Sequence, residues 1–312
     1  LTKWTFPAII HHRIELRFVQ PGGTMQRPVY KRRLFEGRVE VAVYGAGRNW
    51  NFAGETREAI EAGNPGITFD LGFVMGDNRV TRALVPKPAF NAVLVAPDML
   101  TSERLPRFFR GLDADGVVLT DHGDAYALAS ADCLAAVLFD PSTGCVIAMH
   151  CGRNALVDRD ALNGKLPRVF PSIVDAGICH MVNMGANLSR LQVFLAAGIG
   201  PDSFTHPTTA AIIGADGSEK PNIYHSANET LIGFLERKYN DGFHVVVTDH
   251  NEGKISLVEL VIAQLAAHGV TRDQIEWDEV DTATDTGPNG EFLYHSNRRD
   301  KTLRNLVLVK RV

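Results

Sequence analysis

Cysteine is scarce in this sequence. The four cysteines, Cys133, Cys145, Cys151 and Cys179, are too few for a disulfide framework in 312 residues, and no two of them form a CxxC pair. Such cysteine usage is typical of a reducing compartment, so we predict a cytoplasmic location. Any functional cysteine would then act as a thiolate or as a metal ligand.

Long apolar runs and an excess of basic charge are missing as well. No stretch approaches the roughly 18 consecutive apolar residues that cross a membrane, and the first residues lack the apolar core of a signal peptide. The 32 basic and 36 acidic residues give a net charge of −4, which is not the footprint of a nucleic-acid binder. We therefore expect neither a membrane nor a nucleic-acid partner. The apolar fraction of 45% excludes disordered and fibrous classes.

Five short apolar runs follow Asn91 and are separated by turn residues such as Asp-Gly and Pro-Ser-Thr-Gly. Runs spaced this closely predict adjacent strands of a largely antiparallel or mixed sheet. The runs span residues 92–96, 116–120, 125–130, 134–140 and 145–150.

The rest of the chain mixes helical and strand periods, which predicts an α/β fold. No repeat or long linker divides the chain, so we predict one domain over residues 1–312, of which residues 1–65 give little interpretable pattern. Asn228 is a candidate N-cap of the second predicted helix. Helices are predicted over residues 172–184, 228–239 and 256–268, and strands over residues 14–19, 38–44, 191–199, 243–248, 292–296 and 306–309.

Cys133 and His150 flank two of the predicted strands. If residues 134–140 and 145–150 form a hairpin, the start of the first strand lies beside the end of the second, and the two residues are neighbours at one sheet edge. Such a pair can bind Zn²⁺ with a further protein ligand, or the imidazole can activate the thiol as a metal-free nucleophile. A buried cysteine beside a satisfied histidine, without chemistry, is the third alternative.

Several short motifs occur in a fixed order over roughly residues 66–309. They are Phe69-Asp70-Leu71-Gly72, Gly76-Asp77-Asn78-Arg79, Ala114-Asp115-Gly116, Ala131-Asp132-Cys133-Leu134, His150-x-Gly152, Gly198-Ile199-Gly200-Pro201 and Tyr294-His295-Ser296-Asn297-Arg298-Arg299-Asp300. As a set they resemble the laccase-domain family of YfiH type, first described as multicopper polyphenol oxidoreductases and associated with zinc-dependent purine nucleoside phosphorolysis and deamination. The resemblance implies mixed β-sheets flanked by helices in a layered α/β/β/α arrangement.

The resemblance also makes Cys133 and His150 catalytic residues and two of three zinc ligands. The third ligand of the family is a histidine before the Ala-Asp-Gly strand, and the segment Val95–Met99 contains none. Asp98 can replace it as an oxygen ligand. His122 is the nearest alternative histidine, but its Asp-His-Gly-Asp context is typical of an exposed turn. We therefore predict zinc held by Cys133, His150 and Asp98.

Asp132, Arg153, Arg299 and Arg304 are the predicted substrate-binding residues. The family has His-Ala-Gly-Trp-Arg-Gly where this chain has His150-Cys151-Gly152-Arg153-Asn154-Ala155, so the arginine stands one position earlier. The C-terminal basic group, which includes Arg298, could hold a phosphate or a ribose because a guanidinium fork fits such anions. A solvated charged turn is the alternative for that group.

Three functions are compatible with these residues. The leading prediction is a purine nucleoside phosphorylase or adenosine deaminase-like enzyme that takes a nucleoside and phosphate, with a homodimer among the expected assemblies. The second is a metal-independent cysteine hydrolase or amidase that uses a Cys133–His150 dyad. The third is a catalytically silent family member. Copper-dependent phenol oxidation is disfavoured, because the chain lacks the His-x-His motifs that hold several coppers.

Overall fold

A computed structural model of the chain describes residues 27–50, 65–102, 108–214 and 217–312. The predicted strand over residues 14–19 lies outside these ranges. A seven-stranded mixed sheet forms one layer of the described structure. Its strands, in spatial order, are β1 (Tyr30–Leu34), β2 (Val39–Tyr44), β17 (Asn305–Arg311), β8 (Asp124–Ser130), β3 (Arg82–Leu84), β6 (Phe108–Arg110) and β5 (Thr101–Ser102).

A six-stranded mixed sheet forms the second layer, and its central pair is an antiparallel hairpin. In spatial order its strands are β16 (Ile275–Trp277), β11 (Gln192–Ala196), β9 (Leu134–Asp140), β10 (Cys145–Cys151), β7 (Gly116–Leu119) and β4 (Leu94–Val95). Two further hairpins pair β12 (Ala211–Ile213) with β13 (Glu219–Pro221) and β14 (Val247–Asp249) with β15 (Lys254–Ile255).

Serine caps fix the start of two helices in the second half of the chain. The side chain of Ser172 accepts the amide of Asp175, and that of Ser256 accepts the amide of Glu259. Both helices therefore begin where the sequence predicts. The helices are α1 (Pro65–Asp77), α2 (Arg153–Leu156), α3 (Arg159–Leu162), α4 (Ile173–Asn183), α5 (His225–Tyr239) and α6 (Leu257–Ala266), and short 3₁₀ turns span Phe35–Gly37, Pro97–Met99, Leu188–Arg190 and Arg272–Gln274.

The β9–β10 hairpin shows how the layers are built. Alternate residues such as Leu138 and Ile147 pack in the core beneath helices α4 and α6, whereas Val137 and Val146 face the core between the two sheets. Helix α1 places Leu71, Val74 and Met75 in a third core on the outer face of the seven-stranded sheet. The predicted α/β/β/α layering is therefore confirmed. Within the described ranges, no helix combines the length and apolarity needed to cross a bilayer.

One predicted strand belongs to a different sheet from its sequence neighbours. The run over residues 125–130 forms β8, which pairs with β17 and β3 in the seven-stranded sheet. The other four runs contribute to the six-stranded sheet. The prediction that all five are adjacent is wrong, because alternation encodes a buried face and not the identity of the neighbouring strand.

Side chains that satisfy the backbone explain two further departures from the predicted strands. The Asp241 carboxylate accepts the amides of Phe243 and His244, so a turn replaces the start of the strand predicted over 243–248. The side chain of Asn305 bonds the amide and the carbonyl of His295, and residues 292–296 contribute a single bridge at Phe292 in place of a strand.

The second predicted helix starts earlier than expected. Helix α5 begins at His225, three residues before the predicted cap. The Asn228 side chain donates to the carbonyl of Pro207 at 2.9 Å and so anchors a loop to the helix. An asparagine that looks like a cap in sequence therefore makes a tertiary contact.

Candidate functional site

The hairpin brings Cys133 and His150 together at one end of the six-stranded sheet. His150 pairs with Ala135 in the register of β9 and β10, and Cys133 immediately precedes β9. Both residues share the alternation of Ala135 and Ala148, which face the core between the sheets. The predicted juxtaposition of the two residues is therefore present.

Gly152 provides the space in which the thiol and the imidazole meet. A β-carbon at this position would lie 2.9 Å from Sγ of Cys133 and 3.0 Å from Nε2 of His150. Its backbone has φ −77°, which any residue adopts, so the requirement for glycine is steric. The absence of a side chain keeps Nε2 and Sγ facing a common point.

Asp115 lies on the other side of the His150 ring. Its Oδ1 is 3.6 Å from Nδ1 of His150, and both side chains are almost fully buried. The carboxylate accepts three backbone amides at 2.8–3.0 Å, from residues 90–92. Burial favours the neutral acid, but His150 and these amides outweigh it and lower the pKa of Asp115. The amides of residues 90–92 therefore hold the negative charge of Asp115 in place beside the imidazole.

The charge of His150 follows from its two neighbours. Burial opposes protonation, but Cys133 and Asp115 together raise the pKa of His150 to about 9. The imidazole is thus a cation at neutral pH, positioned between a sulfur and a carboxylate. The ring of Phe90 lies edge-on to the ring of His150, with 5.6 Å between their centroids.

A cluster of basic side chains adjoins the pair. Arg153 begins helix α2 directly after Gly152, and burial together with the charges of Arg159 and Arg298 lowers the pKa of its guanidinium to about 10. Cys133 has the opposite effect and raises the pKa of the same guanidinium. The Nε atom of Arg153 is buried and has no hydrogen-bond partner among the described residues.

His206 is a neutral member of this cluster. Burial first, and then the charges of Arg153, Arg298 and Arg159, lower its pKa to about 3. The residue is only 8% exposed, and its Nδ1 lacks a partner in the described structure. Its backbone amide is held by the carbonyls of Glu252 and Gly253. Buried polar atoms without partners are uncommon, so these unpaired groups indicate a polar ligand.

Arg298 is held in the cluster by aromatic and backbone contacts. Its guanidinium lies 5.3 Å from the ring centroid of Phe204 and donates to the carbonyl of Thr205 at 2.9 Å. Phe204 in turn packs edge-on against His206. These contacts position the loop 204–206 and the C-terminal basic turn against one another.

The other predicted substrate-binding residues have structural partners. Asp132 has a left-handed backbone (φ 83°), which is fixed by Thr282 Oγ1 on its carboxylate and the Ile199 amide on its carbonyl. Arg299 donates to three carbonyls, those of residues 282, 283 and 294, and covers the ring of Phe292. Arg304 donates from its side chain to the carbonyl of Leu303. Asp132 stays next to Cys133 in the site, whereas Arg299 and Arg304 anchor the C-terminal turn.

The predicted third zinc ligand does not join the other two. Asp98 is exposed in the turn Pro97–Met99, and His122 is exposed at the opposite end of the sheet, in the turn before β8. Among the residues that the structure describes, no group of three His, Cys, Asp or Glu side chains is arranged to hold a metal. Cys133 and His150 therefore supply two donors where a catalytic zinc site uses three.

The sequence analysis assigns no role to two residues of the site, Asp115 and His206. It includes Arg298 in the C-terminal basic group that could hold a phosphate or a ribose. Only Asp115 carried a usable signal, because it directly precedes a strand that pairs with β10. The approach of Arg298 and His206 depends on long loops whose path the sequence pattern does not encode.

Fold and site together define a layered α/β protein whose Cys–His pair lies beside a basic cluster. A family model described as multi-copper polyphenol oxidoreductase laccase matches residues 91–310, well over half of the 312-residue chain. The chain belongs to this family, and its predicted assignment to the YfiH-type laccase-domain proteins is confirmed. No curated protein matches the chain.

Solved structures share the fold across most of their length. Bacillus licheniformis hypothetical protein YfiH has a TM-score of 0.55 and 13% identity, covering 87% of this chain and 92% of its own. Neisseria meningitidis protein NMB0706 has a TM-score of 0.57 and 15% identity, with 88% and 94% covered. YlmD from Geobacillus stearothermophilus has a TM-score of 0.54 and 17% identity, with 88% and 91% covered. At these identities the likeness shows the fold alone.

Proposed function

We propose that the chain catalyses phosphorolysis of purine nucleosides. The observation that carries the proposal is the basic cluster beside the Cys133–His150 pair, in which Nε of Arg153 and Nδ1 of His206 are buried without partners among the described residues. A phosphate there would accept from the guanidinium, whose donor fork suits a phosphate dianion. Membership of the family supports a nucleoside as the second substrate.

The proposed reaction needs one nucleophile and one acid. An oxygen of the bound phosphate attacks C1′ of the ribose, and the C1′–N9 bond breaks with its electron pair moving to the purine. His150, a cation because its pKa is about 9, donates a proton to the leaving base at N7. The proton released by the attacking phosphate then restores the imidazolium. The products are ribose 1-phosphate and the free purine.

His150 is better suited to this role than to hydrolytic deamination. Deamination requires a base that takes a proton from water, and an imidazolium already holds its proton. Asp115 and Cys133 both stabilise the charged form of His150. The same two residues would stabilise positive charge that develops on the ribose in the transition state.

The reaction proposed here uses neither zinc nor copper. The described residues offer Cys133 and His150 as two donors and bring no third His, Cys, Asp or Glu side chain into ligating position. Zinc therefore stays a prediction from the family resemblance. We expect turnover to survive prolonged dialysis against EDTA, and metal analysis of the purified chain before and after dialysis checks that expectation.

Turnover of inosine and adenosine in phosphate buffer tests the proposal. We expect ribose 1-phosphate and free purine to appear in equal amounts, and only when phosphate is present. The substitution Arg153→Gln removes one charged donor and should raise the KM for phosphate about tenfold, because a hydrogen bond to a charged group contributes on the order of 1.5–3 kcal/mol.

Arg237→Gln is the matched control for this substitution. Arg237 is an exposed arginine in the last turn of α5, so the change in net charge is the same and the basic cluster is untouched. An unchanged KM for phosphate in Arg153→Gln, or base release without phosphate, would contradict the proposal. Absence of turnover with every purine nucleoside would favour a catalytically silent family member.

A cysteine hydrolase is the second candidate, and the order Asp115–His150–Cys133 favours it. A carboxylate at Nδ1 and a thiol near Nε2 are the arrangement in which an imidazole generates a thiolate nucleophile. The basic cluster would then accept an anionic amide or ester. This candidate makes Sγ of Cys133 the attacking atom, whereas in phosphorolysis Cys133 acts by raising the pKa of His150.

The substitution Cys133→Ser separates the two candidates by its pH profile. In phosphorolysis the loss of the thiol removes the interaction that raises the pKa of His150, so the alkaline limb of kcat/KM should shift to lower pH. Activity at acidic pH should fall no more than about tenfold. Cys179→Ser, at a partly exposed thiol on α4, should leave the profile unchanged.

Complete loss of turnover in Cys133→Ser at every pH, with a wild-type melting curve, would instead favour the nucleophile role. Rapid alkylation of wild-type Cys133 by iodoacetamide, faster than that of Cys179, would point the same way.

A further inference from the structure

A second basic site, formed by a pocket, lies at the end of the β9–β10 hairpin opposite to Cys133 and His150. Cys133 precedes the first residue of β9, whereas Phe139 and Val146, near the hairpin turn, line this pocket. Seven-residue strands separate the two ends, a distance of about 20 Å at the rise of an extended strand. This pocket is therefore distinct from the site proposed to act on nucleosides.

Three arginines are among the residues that line this pocket. Arg38, Arg190 and Arg311 come from three separate segments, and His122 adds an imidazole. Arg311 donates to the carbonyl of Leu119 at 3.0 Å, which fixes its stem and leaves its charge without a carboxylate partner in the described structure. Glu36 supplies the only acidic side chain among the described lining residues.

Arg38 and Arg190 are exposed and form no ion pair with any residue in the described ranges. The usual surface arginine is solvated alone or paired with a neighbouring carboxylate. Here three arginines line one concavity, although like charges repel. Such an arrangement is stabilised when a ligand of high negative charge occupies the space between them.

The shape of the pocket suits a small molecule. Its volume is about 450 Å³, within the range of ligand sites. Phe35 and Phe139 form an apolar wall, their rings stacked at 5.2 Å with an interplanar angle of 12°. Phe35 belongs to the 3₁₀ turn that joins β1 to β2 of the seven-stranded sheet, and Phe139 to β9 of the six-stranded sheet, so the pocket lies where the two layers meet.

We propose that this pocket binds a di- or triphosphate group, either free or carried by a nucleotide. Arg38, Arg190 and Arg311 hold the phosphate oxygens through charge-assisted hydrogen bonds. The wall formed by Phe35 and Phe139 accommodates an apolar ring attached to the phosphates. The three arginines come from separate segments, so a di- or triphosphate, which carries more charge and reaches further than a single phosphate, suits the pocket better.

Calorimetric titration of the full chain at 0.15 M salt tests this assignment, with pyrophosphate, tripolyphosphate and ADP as the probes. We expect saturable binding of one polyphosphate per pocket. Arg38→Gln and Arg190→Gln should each weaken it about tenfold, because each removes a charge-assisted contact. Both residues are exposed, so neither substitution should alter the melting temperature. Arg237→Gln, an equal change of charge elsewhere, should leave the affinity unchanged.

Arg153→Gln separates this pocket from the nucleoside site. Binding that persists in Arg153→Gln and weakens in Arg38→Gln supports the assignment. Equal affinity in the wild type, Arg38→Gln and Arg190→Gln overturns it, as does binding lost only in Arg153→Gln. Tighter binding of ADP than of pyrophosphate identifies a nucleotide as the occupant, whereas equal binding of the two identifies a free polyphosphate.

Discussion

Replacing His150 by glutamine should lower kcat/KM for phosphorolysis about 10³-fold, within the range that general acid catalysis contributes. Glutamine approximates the reach of imidazole but cannot supply a proton to the leaving purine. The KM for phosphate should change little, because the proposal assigns that anion to Arg153 and its neighbours. Steady-state kinetics over a range of phosphate and inosine concentrations check both expectations.

The fold of His150→Gln must be verified separately, because Asp115 loses its charged neighbour. Circular dichroism and thermal melting serve this purpose, and His250→Gln provides a control at a partly exposed histidine that pairs with Glu236 on α5. A folded His150→Gln protein with near wild-type kcat/KM would exclude the imidazole as the acid. Loss confined to the KM for phosphate would assign His150 to binding.

Truncating Phe194 to alanine should cost about 3–5 kcal/mol of the free energy of unfolding. Phe194 lies on β11 in the core between the two sheets and is fully buried. The guanidinium of Arg32 lies 4.7 Å from its ring centroid, so the substitution also removes a cation–π contact between the layers. Urea unfolding followed by circular dichroism measures the change.

Phe243→Ala is the matched control, since Phe243 is 89% exposed. Its free energy of unfolding should stay within about 0.5 kcal/mol of the wild type. A loss below about 1 kcal/mol for Phe194→Ala would mean that the core between the sheets can close around the missing ring.

The sequence predicted the part of the fold whose information is local. Leu134–Asp140 matches strand β9, and β10 extends the predicted run by one residue, because alternating apolar residues and a Pro-Ser-Thr-Gly turn define a hairpin. The helices capped by Ser172 and Ser256 were also predictable from local sequence, because each serine directly precedes apolar residues at helical spacing. The sheet to which β8 belongs was not, because partner choice depends on β17 at the far end of the chain.

Local sequence likewise predicts some residues of the candidate site and not others. Cys133 and His150 follow from the hairpin, since residues at its open end are adjacent and share a face. The contribution of Asp115 depends on amides from residues 90–92, whose loop conformation includes left-handed backbones at Phe90 and Ala92. His206 and Arg298 arrive from loops far apart in sequence, so pattern alone could not join them to the pair.

The paired register of the hairpin limits how this chain can change its length over evolution. An insertion of one residue within β9 would rotate Cys133 to the helix-covered face and separate it from His150. An insertion between Asp140 and Cys145 would leave that pairing intact, because the turn lies outside the ladder. We therefore expect changes of length to be tolerated at the turn, beside the pocket proposed to bind polyphosphate, and not within the strands. Ligand preference at that pocket could then change without moving Cys133 away from His150.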